Sequence, residues 1–287
     1  MIPQGVILID KPTGISSFDV IRKVRKLTGL KRVGHAGTLD PEASGLLVVC
    51  LGSYTKLCGY LTESSKIYQA EIKFGIKTST DDIEGEIISE QPTDSLSQEN
   101  ILSACAKFIG KIQQIPPRFS AVKINGQRAY KLARAEEEFS IAPREVEIFS
   151  LDIQNINLPS IEIKTHCSKG TYIRALARDI GDFLKVGAHA REIRRIASGS
   201  FDIAHAIKFA DLNNENIIQQ CLTGYKALGG LSNFELNQTD YERVKHGRSV
   251  SLSNNLSSKI AVAMFEERPV AIMEKNNIGN WEILRVM

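Results

Sequence analysis

Val33-Gly34-His35-Ala36-Gly37-Thr38-Leu39-Asp40-Pro41-Glu42-Ala43-Ser44-Gly45 runs directly into Leu46-Leu47-Val48-Val49-Cys50-Leu51. Glycine recurs at 34, 37 and 45, and each would cost a helix interior about 1 kcal/mol against alanine. Pro41 biases Asp40 away from the α region and removes a backbone donor. The apolar run after Gly45 has the pattern of a buried strand. Asp40 is therefore expected on a bent loop just ahead of a core strand, a rigid mount for one carboxylate.

Upstream, Val6-Ile7-Leu8-Ile9 reads as a short strand and Asp10-Lys11-Pro12-Thr13-Gly14 as a turn. Ser16 with Asp19 three residues on forms a capping box. Val20, Ile21, Val24 and Leu27 follow at helical spacing, and Gly29 suits the position after the helix. Arg22, Lys23, Arg25, Lys26, Lys31 and Arg32 occur with no acidic residue between Asp19 and Asp40. Such a run is ordinarily a solvated helix face. Beside a candidate site it also suits an anionic ligand such as RNA.

Downstream, Ser53 can cap a short helix carrying Leu57, Tyr60 and Leu61. Lys66 to Gly75 alternates as a half-buried strand, with Tyr68, Ala70, Ile72 and Phe74 on its apolar face. Spacing alone makes Tyr68 a core residue. Thr78 to Gly85 is a polar turn containing Asp81, Asp82 and Glu84. No histidine accompanies these carboxylates, and a solvated turn is the simpler reading. Ser97 to Gly110 reads as a helix. Pro116-Pro117-Arg118-Phe119-Ser120-Ala121 and Asn125-Gly126 mark a loop and a hairpin, with a helix starting near Tyr130.

Val146 to Ile156 and Ile161 to Cys167 alternate like paired strands. Tyr172, Ile173, Leu176, Ala177, Ile180 and Phe183 form an amphipathic stripe. Arg174 lies in the first turn of that helix, where the dipole disfavours a cation. A buried carboxylate is expected to satisfy it. After Gly229-Gly230, a short helix from Thr239 ends at Gly247. Strands are expected over Lys259–Phe265, Pro269–Glu274 and Trp281–Val286.

The 287 residues are 43% hydrophobic and 24% charged, ordinary for a soluble globular protein of one large domain plus a small one. No apolar run approaches the roughly 20 residues that span a bilayer. Met1-Ile2-Pro3-Gln4 lacks the pattern of a signal peptide. Five cysteines with no C-x-x-C pair disfavour zinc and disulfide frameworks, and a reducing, cytoplasmic location is the default. The net charge of +3 is too small to prove a nucleic-acid partner. No G-x-S-x-G, P-loop or Rossmann fingerprint anchors a hydrolase, an NTPase or a dehydrogenase.

Gly34-His35-Ala36-Gly37-Thr38-Leu39-Asp40-Pro41 with Ser44-Gly45-Leu46-Leu47 resembles the active-site motif of the TruB-type tRNA pseudouridine synthases. Matching positions extend from Gly5 to about Gly199. The resemblance implies an α+β pseudouridine synthase fold over residues 1–229, with a mixed, mainly antiparallel central sheet and flanking helices. It implies Asp40 as the catalytic residue, Tyr68 as the active-site tyrosine of a Lys-x-Tyr motif, and Arg174 as the partner of Asp40. Around the substrate it places Lys11, Pro12, His35, Gly37, Thr38, Asp82 of a Thr-x-Thr-x-Asp-x-x-Gly pattern, and Ile193 where relatives carry leucine. An insertion at about 110–145 is expected to grip the RNA stem-loop, with Arg118, Lys123, Arg128, Lys131 and Arg134 supplying charge. Arg22, Lys23, Lys31, Arg32, Arg194 and Arg195 are further expected contacts to the RNA backbone. Residues 230–287 resemble a small, β-rich RNA-binding domain of the PUA type.

The implied reaction turns uridine-55 in the T-loop of tRNA into pseudouridine. It breaks the N-glycosidic bond, rotates the base and joins C5 to C1′. One nucleophilic or charge-stabilising carboxylate is required, together with a group to manage the C5 proton. No redox step occurs, so neither cofactor nor metal is expected. The base must leave its stack to be reached. Two other readings fit the same fold: a non-catalytic RNA-binding protein or tRNA chaperone, and a guide-RNA-dependent rRNA pseudouridine synthase. Intact Asp40, Tyr68 and Arg174 oppose the first. The lack of long terminal extensions favours a stand-alone monomer, needing no protein partner, over the second.

Overall fold

The computed structural model describes residues 4–250, 256–277 and 279–287. The fold is α+β. It comprises two compact units, one of Met1–Pro41, Gly45–Ser64 and Ser198–Met287, the other of Glu42–Ser44 and Ser65–Ala197.

In the first unit the strand Gly5–Lys11 pairs antiparallel with Ser44–Leu51, Gly5 facing Leu51 and Lys11 facing Gly45. Its other edge pairs parallel with Ile207–Lys208. Val6 to Ile9 and Leu46 to Leu51 are buried throughout, the burial that an unbroken apolar run demands of a strand. The short strand Val33–His35 also pairs with Ser44–Leu51, His35 opposite Val49. The helix Ser17–Thr28 begins at the expected capping box: Ser16 accepts from the Asp19 amide, and the Asp19 carboxylate accepts from the Ser16 amide at 2.8 Å. Gly29 ends it with φ 69°, in the left-handed region that costs glycine least.

The last part of this unit is a four-stranded sheet in the order Asn233–Glu235, Ile260–Phe265, Arg268–Lys275, Trp281–Val286. The first pairing is parallel and the other two are antiparallel. The three longer strands match expectation; Asn233–Glu235 is too short for its alternation to show. Strand alternation gives this sheet two different faces. Ala261, Ala263, Met273 and the fully buried Trp281 cluster with Val244 of the helix Gln238–Lys245. Val262, Met264 and Ile272 instead join the core formed by Val6, Leu8, Leu46 and Val48.

The main sheet of the second unit runs in the order Ala188–Ser198, Lys66–Phe74, Ser160–Cys167, Arg144–Asn157, Gly110–Gln114. The pairings from Lys66–Phe74 to Gly110–Gln114 are all antiparallel. The helices Gln98–Ala106 and Ile173–Phe183 bury Ile101, Leu176 and Ile180 against Ile72, Ile148 and Ile163 of the strands. A hairpin of Lys123–Ile124 and Gln127–Arg128 turns at Asn125 and Gly126. Both turn residues have positive φ, the requirement that makes Asn-Gly a hairpin signal. Among the described residues no helix is long and apolar enough to cross a membrane.

Candidate active site

Asp40 is half-buried on the loop between Val33–His35 and Ser44–Leu51. Its neighbours are clamped on both sides. The Ser17 hydroxyl accepts from the Leu39 amide and donates to the Leu39 carbonyl, both at 2.9 Å. The Pro41 carbonyl accepts from the Gly14 amide at 3.0 Å and from the Lys11 ammonium at 3.0 Å. Lys11 is 0% exposed. It also donates to the carbonyls of Pro12 and Ile15, each at 2.8 Å.

An ammonium has three donors, and the carbonyls of its own loop system accept them. Lys11 thereby holds the backbone next to Asp40. Pro12 and Thr38 are exposed, His35 is half-buried, and Gly37 adopts φ 94°.

The second unit assembles another group. Arg174 occupies the first turn of Ile173–Phe183 and is 4% exposed. Its guanidinium pairs with Asp82 at 3.1 Å and donates to the carbonyls of Thr80 at 3.0 Å and Phe119 at 2.9 Å. The buried carboxylate expected from the helix dipole is present, and Asp82 provides it.

The solvated reading of the 78–85 turn holds for Ile83 and Glu84, which are exposed, and fails at Asp82. Asp82 is 6% exposed. Its carboxylate accepts from the Thr80 hydroxyl and the Glu84 amide, and its carbonyl accepts from the Thr78 hydroxyl at 2.6 Å. The polar groups around Asp82 serve internal bonds. Asp82 also bridges in parallel to Ala190 of Ala188–Ser198.

One helical turn later, Arg178 pairs with Asp81 at 2.7 Å and Asp179 at 2.9 Å and donates to the Ile115 carbonyl at 2.8 Å. Burial pushes the Asp81 and Asp179 carboxyls up, with the Arg178 charge opposing it. This second network escaped the sequence reading. Its signal was there in the i,i+4 arginines and the adjacent aspartates.

Tyr68 lies opposite Thr165 in Lys66–Phe74 and packs, half-buried, at the edge of the core. Ile193 packs against the same cluster. The structure thus groups Arg174 with Asp82, and Tyr68 with Ile193.

Several expected phosphate contacts have other partners. Arg195 is 1% exposed, whereas Arg194 is half-buried and donates to the Ser44 hydroxyl at 3.3 Å. Successive strand residues point to opposite faces, so Arg194 and Arg195 do not share one face of the strand. Lys23 donates to the Phe209 carbonyl at 2.6 Å and lies 4.2 Å over its ring. Arg22 is exposed and pairs with Asp19. Arg118 donates to the Glu137 carbonyl at 3.1 Å, 4.9 Å from the Phe139 ring centre, and Arg128 donates to the Ala121 carbonyl. Lys31 and Arg32 are exposed. Among the described residues no group of three or more His, Cys, Asp or Glu is placed to hold a metal ion.

Residues 25–173 match the TruB family pseudouridylate synthase N-terminal domain, and residues 174–224 match the tRNA pseudouridylate synthase B C-terminal domain. This chain belongs to the TruB family.

The TruB-family chain is 41% identical over 257 residues to tRNA pseudouridine synthase B of Clostridium kluyveri, covering 90% of this chain and 89% of that protein. It is 37% identical over 294 residues to the protein of the same name from Geotalea uraniireducens, covering 98% and 95%. Among solved structures it is similar to a chain of the crystal structure of a Cbf5-Nop10-Gar1 complex, with a TM-score of 0.79 and 25% identity over 99% of this chain and 85% of that one. As a TruB-family member the protein is an enzyme, a pseudouridine synthase. The two TruB matches meet between Ile173 and Arg174, inside the helix Ile173–Phe183. Their junction is therefore no structural boundary.

Proposed function

We propose that this enzyme converts uridine-55 in the T-loop of tRNA to pseudouridine, with Asp40 as the nucleophile. The observation that carries the reading is the mount of Asp40. Ser17, Gly14 and a fully buried Lys11 fix the backbone on both sides of one half-buried carboxylate. Rigid presentation of a single reacting group is what an attack on carbon needs.

In this reading the target base leaves its stack and rests against Tyr68. Asp40 attacks either C1′ of the ribose or C6 of the base, and the N-glycosidic bond breaks. The base rotates, C5 bonds to C1′ and the bond to Asp40 is released; the C5 proton departs and N1 takes one up, so that product and substrate are isomers. Arg174 pairs with Asp40 and orients it. Its five N–H groups allow this alongside Asp82. Pro12, His35, Gly37, Thr38 and Ile193 shape the pocket. The 110–145 insertion grips the stem-loop, and residues 230–287 add RNA-binding surface of the PUA type. The enzyme acts without a cofactor, as a cytoplasmic monomer.

The relatives' shared name, tRNA pseudouridine synthase B, supports tRNA as substrate. The likeness to a chain from a Cbf5-Nop10-Gar1 complex keeps one alternative in view, an enzyme that works within a larger particle. One assay separates them: tritium release from bare tRNA transcripts labelled at uridine C5, with no other protein or RNA added. Release mapping to the T-loop uridine is expected. Release only when a guide RNA and partner proteins are supplied would favour the particle, and none under either condition would end the catalytic reading.

A further inference from the structure

Arg174 and Arg178 stand four residues apart on Ile173–Phe183, on one face of the helix and about 6 Å apart along its axis. Each bridges the same two pieces of chain. Arg174 joins Asp82 to the Phe119 carbonyl, and Arg178 joins Asp81 to the Ile115 carbonyl. The two carboxylates are neighbours in the turn that follows strand Ile76–Thr78. The two carbonyls lie in the segment that leaves strand Gly110–Gln114 and runs into the basic insertion.

Asp81 has φ 60°, a left-handed conformation that a non-glycine residue keeps only when its surroundings hold it. Arg178 holds its carboxylate at 2.7 Å, and the Ala190 amide holds its carbonyl at 3.0 Å. Asp82 is the next residue, so the conformation at Asp81 sets the direction in which Asp82 departs toward Arg174.

We propose that Arg178 is a positioning residue: with Asp81 it fastens the root of the 110–145 insertion to the turn that carries Asp82, without touching substrate. The inference rests on reading that insertion as the element that grips RNA. Its consequence is that the grip and the buried ion pair keep a fixed spacing, so the RNA that the insertion holds is delivered in register. A guanidinium fork reaches Asp81, Asp179 and the Ile115 carbonyl in three directions at once. An ammonium is a point charge and cannot.

Truncating Arg178 to alanine would leave two half-buried carboxylates without their counter-charge and risks the fold. The test therefore uses Arg178→Lys and Asp81→Asn, with kcat, KM for tRNA and melting temperature measured on each. Both variants should raise KM about five- to tenfold while kcat stays within about twofold. Lysine should fail to rescue. A purely structural role would lower the melting temperature and kcat per mole of protein and leave KM unchanged; that pattern overturns the proposal, as does an unchanged KM with an unchanged kcat.

Charge reversal in the insertion itself, Lys131→Glu with Arg134→Glu, tests the grip separately. Unchanged RNA affinity there removes the reading of the insertion, and this inference with it. Weakened affinity there, beside an unchanged KM in Arg178→Lys, removes this inference alone.

Discussion

Asp40→Asn keeps the shape of the side chain and removes its charge. Turnover should be lost while tRNA affinity holds, and C5-tritium release beside a filter-binding titration checks both; normal turnover ends the nucleophile assignment. Lys11→Met makes a different point. The methionine keeps most of the volume but leaves the carbonyls of Pro12, Ile15 and Pro41 without their shared donor. The loop loses three hydrogen bonds, although Pro41 still accepts from the Gly14 amide; denaturation midpoints should fall, and kcat should fall further than RNA affinity as the loop beside Asp40 loosens. The thiols separate just as sharply. Burial pushes Cys105 and Cys167 up to about 11, so both stay protonated near neutral pH. A raised folded-state pKa means that the stabilisation is complete below the unfolded thiol value, about 8.5, and is lost as pH rises through about 11. Cys58 moves the other way, its thiolate favoured by a hydrogen bond from Cys50. Mass spectrometry after brief alkylation of the native protein should find Cys58 modified first and Cys105 and Cys167 last; the reverse order refutes this ranking. Which of these residues could be read in advance follows from range. The Ser16–Asp19 box and the Asn125-Gly126 turn are local and stood in the sequence. The partnership of Asp82 with Arg174 is made by tertiary packing, and only the need of a buried arginine for some carboxylate was visible beforehand.

Helix Ser17–Thr28 shows how a charged element divides its work. Val20, Ile21 and Val24 face the core, while the basic side chains have distinct fates. Arg22 pairs with Asp19, Arg25 donates to the Val33 carbonyl at 3.0 Å, and Lys23 is held by Phe209. Lys31 and Arg32, just beyond the helix, are exposed. Removing one side chain that neutralises a phosphate should flatten the log–log salt dependence of tRNA binding by roughly 0.7 to 0.9. Lys31→Gln and Arg32→Gln should each show that change and Lys23→Gln should not; equal slopes in all three would make the block a solvated surface only. Strand Ala188–Ser198 illustrates the opposite difficulty. Its burial does not alternate cleanly, and Arg191, Glu192, Arg194 and Arg195 break up the apolar pattern by which a strand is recognised.

At the level of the whole molecule, the tail sheet is part of the first unit's core rather than an appendage. Val262, Met264 and Ile272 lie in the cluster that contains Val6, Leu8 and Leu46. Burying each contributes roughly 1.5–3 kcal/mol, together comparable with the roughly 5–15 kcal/mol by which folded proteins are stable. A fragment ending at Gly229 should therefore aggregate or melt far below the full chain in circular dichroism and size-exclusion chromatography; a soluble fragment with an unchanged melting temperature would show that the tail is dispensable for folding. The opposite face of that sheet holds Trp281, the single tryptophan of the chain, fully buried with its ring centre 5.0 Å from that of Phe234. Indole emission is consequently a private channel onto one small sheet. Excited at the red edge, where tyrosine is dark, the protein reports the loosening of its tail and stays silent while strands built around Tyr68 come apart, so a fluorescence melt and a far-ultraviolet dichroism melt need not coincide even in a sample that is pure.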